Sequence, residues 1–321
     1  MNVNPIWLKS YPEGVPADIN PTAYSSLVGL LEDSFSKYSE RAAYSFMGKE
    51  FSFAQTDQDS LAMAAYLQSL GLSKGDRVAI MMPNVPQYPV AVAAVLRAGL
   101  VVVNVNPLYT ARELEHQLKD SGAKAIVIIE NFAATLEKCI AQTPVQHVVL
   151  AAMGDRLGLL KGNLVNYVVR NVKKMVPAFN LPEAVRFNDA IARGTRGTLK
   201  PATLKPDDIA VLQYTGGTTG VAKGAVLLHR NLVANVIQSE AWYQPALKKV
   251  PKGEQIVTIC ALPLYHIFGF TANMMLSMRM GGANILIPNP RDLDAVLKEL
   301  AKHRFHSFPA VNTLFNALAN H

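Results

Sequence analysis

The sequence predicts an α/β fold built from parallel strand–helix–strand units, on three observations. Short β-rich runs alternate with longer helical patterns through the middle of the chain and again after residue 207, an alternation that implies parallel strands with both sheet faces covered. Thr110 and Glu113 have the spacing of a capping box, and Gly122 stands where that helix should stop. Half of the 321 residues are hydrophobic, enough for a substantial core and for more than one lobe.

In chain order, a helix is expected near Ser26 to Tyr38. Then "RVAIMMP" leads to the helical "YPVAVAAVLRAG", "VVVNVNP" to "TARELEHQLKDSG", and "KAIVIIE" to "NFAATLEKCIAQ", with "HVVLAAM" closing the first series. After residue 207 come "IAVLQ", a glycine-rich loop, "GAVLLH", the helix "RNLVANVIQSEAW", "IVTICALP", "FTANMMLSMRMG", "ANILIP", "DLDAVLKELAKH", "HSFPA" and the helical "NTLFNALANH". Between the two series, about residues 155–206 form a basic segment without a strand signal. Winding Leu164 to Val176 as a helix gathers Leu164, Val168, Val172 and Met175 on one side, with Asn166, Arg170, Lys173 and Lys174 opposite. Such a helix is either an ordinary surface element packed on a neighbour or one that lies on a membrane.

The formal charge of +7 favours anionic company: nucleotide, acidic lipid headgroups or nucleic acid. Dispersed positive residues and the lack of a helix-turn-helix or aromatic RNA-binding run argue against nucleic acid. Two cysteines, Cys139 and Cys260, fit a reducing compartment and exclude a disulfide scaffold. The start lacks the pattern of a signal peptide, and no apolar run reaches the ~18 residues of a transmembrane helix. A cytoplasmic protein is expected.

The loop "YTGGTTGVAKG" carries the chemistry. Taken as a hairpin it is ordinary, since glycine and threonine are common turn residues. Its glycines, however, allow successive N–H groups to converge on an anion, Thr215, Thr218 and Thr219 add hydroxyl donors, and Lys223 adds a full positive charge. A Walker loop is excluded, because Lys223 precedes Gly224 and a strand-like run follows where a helix should open. No G-x-G-x-x-G supports a dinucleotide fold.

The whole stretch "YTGGTTGVAKGAVLLHRN" resembles the phosphate loop of the adenylate-forming superfamily. "ALPLYHIFGFTANMMLSMRMGGANILIP" is similar to the aromatic-His motif that lines its acyl pocket, and "PNVPQYPVAVAAVLRAGLVVVNVNPLYTARELEHQLKDSGAKAIV" is similar to its early block. The forms "GVAKGAVLLHRN" and "PLYHIFGFT", the "NTLFNAL" terminus and the inserted "KGNLVNYVVRNVKKMVPAFNLP" resemble the bacterial long-chain fatty-acid CoA ligases.

The resemblance implies the layered αβ sheets of the adenylate-forming N-terminal domain, incomplete, with residues 1–206 as a first lobe and 207–321 as a second, truncated one. It implies adenylation of a fatty carboxylate by ATP with release of pyrophosphate, then transfer to coenzyme A, with Mg²⁺ as cofactor. Tyr214, Thr215, Gly216, Gly217, Thr218, Thr219, Gly220, Val221, Ala222, Lys223, Gly224 and Ala225 match the ATP loop. Many relatives carry Ser or Thr at the position of Gly216, so a metal contact from there is in doubt and the metal ligands stay unassigned. His266 matches the motif histidine near the carboxylate and α-phosphate, though a lone His beside Tyr and Phe also reads as a packed core residue. Tyr265, Phe268 and Phe270 fall in the acyl-binding motif, Phe270 where some relatives place a gating tryptophan at the mouth of the acyl tunnel, though it also reads as plain core packing. Met274, Met275, Met278 and Met280 read as tunnel lining or as core. The partners implied are a long-chain fatty acid, ATP and coenzyme A at the cytoplasmic face of the inner membrane, peripherally bound, with a homodimer left open.

No Y-G-x-T-E and no T-G-D follow the acyl motif. The expectation is therefore an N-terminal portion of the ligase, without the C-terminal domain and inactive alone; the competing reading is a fragment that only binds nucleotide, lipid or a partner chain.

Overall fold

A computed structural model describes residues 6–215 and 222–321. In chain order its elements are α1 (Leu27–Lys37), β1 (Ala42–Phe46), β2 (Lys49–Ser52), α2 (Phe53–Ser69), β3 (Arg77–Met81), α3 (Gln87–Arg97), β4 (Val101–Asn104), α4 (Ala111–Ser121), β5 (Ala123–Ile129), α5 (Ala133–Glu137) and β6 (His147–Ala151). They continue with α6 (Leu159–Tyr167), β7 (Val185–Arg186), α7 (Phe187–Gly194), β8 (Ile209–Thr215), β9 (Lys223–Leu228), α8 (His229–Leu247), β10 (Val257–Cys260), α9 (Leu276–Met280), β11 (Ala283–Leu286), α10 (Leu293–Leu300) and α11 (Asn312–Ala319).

Two sheets result. The larger has the order β7-β6-β5-β3-β4-β8-β9, and the smaller β10-β11-β1-β2. Every pairing in the larger sheet is parallel except β8 with β9, and β1 with β2 is the antiparallel pair of the smaller. The parallel, layered α/β class read from the sequence therefore holds. The division after residue 206 does not separate two sheets: Val102 of β4 pairs with Val211 of β8, and Tyr44 of β1 with Asn284 of β11.

Alternation along the strands builds the layers. Val78, Ile80 and Val127 enter the main core, shared with α1, α2, α3 and the inner face of the smaller sheet. Ala79, Met81, Ile126 and Ile128 point the other way, onto α4 and α5. Ile259 and Ile285 cover the outer face of the smaller sheet, against Val296 of α10 and Leu314 and Leu318 of α11. All eleven residues of α3 are buried between the layers, so its Arg97 must be paired. It bonds Glu32, Asp57 and Ser60, and its guanidinium lies 4.6 Å from the Phe35 ring centroid.

The capping box of α4 is present: Glu113 N–H donates to Thr110 Oγ1, Thr110 N–H donates to Glu113 Oε2 at 2.8 Å, and Gly122 takes the left-handed cap at φ 62°. Those bonds hold the Glu113 carboxyl below its ordinary range. Elsewhere the expectations need amending. Residues 131–142 form a five-residue helix between two 3₁₀ turns, and "HSFPA" contributes a single bridge between Ser307 and Thr258. The basic segment, expected without strands, contains β7 at the sheet edge. β1, β2 and α2 were not anticipated, since α2 turns Thr56, Asp59 and Ser60 toward the interior and so lacks an apolar stripe.

His229 opens α8 and joins it to α1: its Nδ1 accepts the Leu27 N–H at 3.1 Å across 202 residues of sequence. Burial lowers its pKa to about 4, with nearby Asp208 opposing the shift and Lys74 adding to it. Because the folded value lies below the unfolded one, the stability from this residue is present above about pH 6.5 and is lost as pH falls toward 4. The window is worth up to about 3 kcal/mol. Urea titrations at pH 7 and 4.5 are expected to show that loss, and His229→Asn, whose Oδ1 can still accept the amide, should show much less of it.

Candidate functional site

β3, β4 and β8 are parallel neighbours, so their carboxyl ends open on one side of the larger sheet. Parallel α/β sheets bind ligands at that end. Asn84, just past β3, reaches the smaller sheet: its Nδ2 donates to the Cys260 and Leu262 carbonyls at 2.9 Å each, and its Oδ1 accepts the Leu264 N–H at 2.8 Å. The carboxyl end of β10 is thereby fixed against that of β3.

A second buried chain of polar side chains runs alongside. The Tyr88 hydroxyl lies 2.6 Å from Asn104 Oδ1 and 2.8 Å from the Leu264 carbonyl, sharing its one proton between them. Burial raises its pKa. Asn104 Nδ2 donates to Gln213 Oε1 at 3.1 Å, and Gln213 Nε2 donates to the Tyr265 carbonyl at 3.2 Å. Gln117 Nε2 donates to the Asn104 carbonyl at 2.8 Å. Gln213 is the residue before Tyr214, so this chain ties the base of the glycine-rich loop to the turn that carries His266. None of Asn84, Tyr88, Asn104, Gln117 and Gln213 was singled out from the sequence. The signal was there only in kind, as amides and a phenol inside apolar runs, where polar groups must find partners.

At the end of the β8–β9 hairpin, Thr215 pairs with Lys223 and both are exposed. Gly216, Gly217, Thr218, Thr219, Gly220 and Val221 lie outside the described residues. Tyr214 is buried on β8, its hydroxyl donating to Asp120 Oδ2 at 2.5 Å, and burial with that carboxylate raises its pKa. A Cβ on Gly224 would lie 3.0 Å from the Tyr214 ring, so glycine at 224 serves close packing on Tyr214. Ala222 is placed by its carbonyl, 3.2 Å from His116 Nε2, and Ala225 is exposed on the edge strand.

The second motif folds as a tight turn into a π-helical stretch, Gly269–Met275, that runs on into α9. π-Helical turns are rare and concentrate at functional sites. Gly269 permits the fold-back, since a Cβ there would lie 2.3 Å from the Pro263 carbonyl. His266 is exposed, and its Nδ1 accepts the Phe268 N–H at 3.3 Å, an arrangement that leaves the proton of the neutral ring on Nε2. Tyr265 is half-buried, and Phe268 is 46% exposed. Phe270 is fully buried in the main core, as its core-packing reading has it. Met274, Met275 and Met278 are buried too, around a void of about 10 Å³ beside Tyr44. Their core reading accounts for this packing.

A larger cavity, about 600 Å³, lies at the opposite, amino ends of β3, β4 and β8, lined by Lys74, Arg77, Asp207 and Asp208. Lys74 Nζ lies 2.7 Å from Asp208 Oδ2 there, and among the described residues neither Tyr214 to Ala225 nor the aromatic-His motif lines it. Among the described residues no group of three or more His, Cys, Asp or Glu could hold a metal ion.

The family described as AMP-binding enzyme matches residues 31–321. A long-chain-fatty-acid–CoA ligase of Escherichia coli O157:H7 is 55% identical over 316 residues, 98% of this chain and 56% of that protein. One of Bacillus subtilis (strain 168) is 35% identical over 98% of this chain and 55% of its own length. The chain thus spans about half the length of the curated relatives it matches. Among solved structures, the anthranilate CoA ligase AuaEII in complex with anthranoyl-AMP aligns with TM-score 0.76 at 20% identity, over 94% of this chain and 54% of that one. A long-chain-fatty-acid-CoA ligase from Archaeoglobus fulgidus aligns with TM-score 0.73 at 22% identity, over 97% and 56%. At these identities the structures speak for the fold.

Proposed function

We propose, because the chain belongs to the AMP-binding enzyme family, that it is part of a long-chain fatty-acid CoA ligase that activates its substrate as an acyl-adenylate. The observation that carries this reading is the Gln213 bridge, which holds the glycine-rich hairpin and the His266 turn at one end of the sheets. A carboxylate is a weak electrophile with a poor leaving group. In the proposed reaction its oxygen attacks the α-phosphorus of ATP, the bond to the β-phosphate oxygen breaks and pyrophosphate leaves. The thiolate of coenzyme A then attacks the acyl carbon, and AMP departs. The protein's task is to position phosphates and offset charge. Lys223 supplies positive charge and Thr215 a hydroxyl at the hairpin end. The His266 Nε2–H offers a donor to the carboxylate or α-phosphate, and Tyr265 and Phe268 give an apolar approach for the acyl chain. The described residues do not by themselves make a Mg²⁺ site, and no step here is routed through one.

Fatty-acid-dependent exchange of pyrophosphate into ATP tests the reading. A full-length protein carrying this chain should show it, and absence of exchange there would contradict the proposal. The 321-residue chain should bind ATP without exchange, since it spans about half of such a ligase. In the full-length protein, Lys223→Ala is expected to slow exchange by about 10- to 100-fold, the worth of one charge-assisted phosphate contact. Lys223→Arg should recover only part, because a planar guanidinium does not reproduce a compact ammonium.

A long-chain fatty acid resides in the bilayer, so the enzyme is proposed to work as a peripheral protein at the cytoplasmic face of the inner membrane. Among the described residues, no helix is long and apolar enough to cross one.

A further inference from the structure

We propose that the outward face of α6 and the turn after it seats the protein on an anionic lipid surface. The proposal rests on the peripheral reading above and names the surface responsible. A surface helix ordinarily buries its large apolar side chains and exposes its polar ones. This segment buries Val169 and packs Val165 against the main core, yet leaves its larger apolar side chains outside. Gly162 packs on Gly154 so closely that a Cβ on either would lie within 2.5 Å of the other's carbonyl oxygen. One turn on, Asn166 Oδ1 accepts the Gly154 N–H at 2.7 Å. The following π-helical turn, Val168–Val172, places Arg170 on Glu130, with Nε and Nη2 donating at 2.7 and 2.8 Å. Glu130 is 1% exposed and also takes Arg186 at 3.0 Å. Gly162, Asn166 and Arg170 therefore fix the inner side together with Val165 and Val169.

The outer side keeps the large apolar residues. Leu159 and Leu160 are 86% and 91% exposed, and Leu164, Tyr167, Val172 and Met175 are exposed with them. Single exposed leucines need no explanation, whereas a contiguous patch marks an interaction surface. The charge around it selects the occupant. No Asp or Glu occurs between Asp155 and Glu183, and Lys173 and Lys174 are exposed beside the apolar residues. A second copy docking by the same face would bring these like charges together. Lipid acyl chains below anionic headgroups match both the leucines and the lysines.

The test is co-sedimentation of the full chain with vesicles of phosphatidylcholine alone or mixed with phosphatidylglycerol, without ATP, so that the outcome is independent of ligase activity. Wild type should bind the anionic vesicles, less at high salt. Leu159→Ser with Leu160→Ser should lower that binding about tenfold without lowering the melting temperature, and Lys173→Gln with Lys174→Gln should lower it on the order of tenfold on anionic vesicles only. As a second measurement, Tyr167→Trp should shift its emission to the blue when anionic vesicles are added. Wild-type binding by both double variants, or no emission shift, would overturn the proposal, as would dimers in solution that the leucine changes disperse. Lost exchange activity with vesicle binding intact would instead count against the ligase reading alone.

Discussion

Gln213→Leu should leave the fold recognisable and cut turnover of the full-length protein by at least about 100-fold. Leucine fills the same volume, but it leaves the Asn104 amide and the Tyr265 carbonyl without the partners they have at 3.1 and 3.2 Å. Each buried group orphaned in this way costs about 1–3 kcal/mol, enough to move the His266 turn off the hairpin. Displacement of about 1 Å at a reacting centre can by itself cost two orders of magnitude. The loss should fall on kcat more than on the KM for ATP, since the hairpin residues proposed to touch phosphate are unchanged. Gln213→Glu, which can still accept from Asn104 but cannot donate to Tyr265, should lie between. Equal kinetics in all three proteins would mean that the bridge is core packing without a part in the reaction.

Arg170→Glu is expected to destabilise the protein by about 3 kcal/mol or more, read as a lower urea midpoint at constant slope. The substitution sets a second carboxylate against Glu130, which is buried at the end of β5 and has Arg170 and Arg186 as its charge partners. Breaking such a pair strands a buried charge, at a cost of about 3–5 kcal/mol. The lower figure applies because the Arg170 side chain is 39% exposed. Lys173→Glu and Lys174→Glu, on exposed side chains, should leave the midpoint nearly unchanged. The contrast separates the arginine that holds the segment to the body from the lysines assigned to lipid, although all three share one helical face in the sequence.

That contrast also shows how far a sequence carries. Periodicity found two faces for residues 164–176, but which residues turn inward depends on Gly154 and Glu130, elsewhere in the chain: Val165, Asn166, Val169 and Arg170 are held to the body, while Leu164, Val172, Lys173 and Lys174 stay exposed. Strands β3 to β6 were legible because strands covered on both sides are apolar without interruption, and α4 because its caps are local. The segment over β1, β2 and α2 was not, since Thr56, Asp59 and Ser60 face inward and blur the pattern. At the site, the hairpin and His266 stood out by residue type and resemblance. The polar chain joining them did not, because Asn104 and Gln213 lie 109 residues apart and only the folded sheet makes them neighbours. For Phe270 the sequence left a tunnel-mouth and a core reading side by side, and its burial fits the second.

The hairpin end and the His266 turn are proposed to form one nucleotide site at the carboxyl ends of the strands. Amide hydrogen exchange of the 321-residue chain with and without ATP tests it most directly. ATP should slow exchange at residues 222–225 and, through the Gln213 bridge, at residues 264–270, and Lys223→Ala should remove both effects at the same ATP concentration. Protection confined to the Lys74 and Arg77 cavity at the opposite ends of the strands, or none in either segment, would contradict the account.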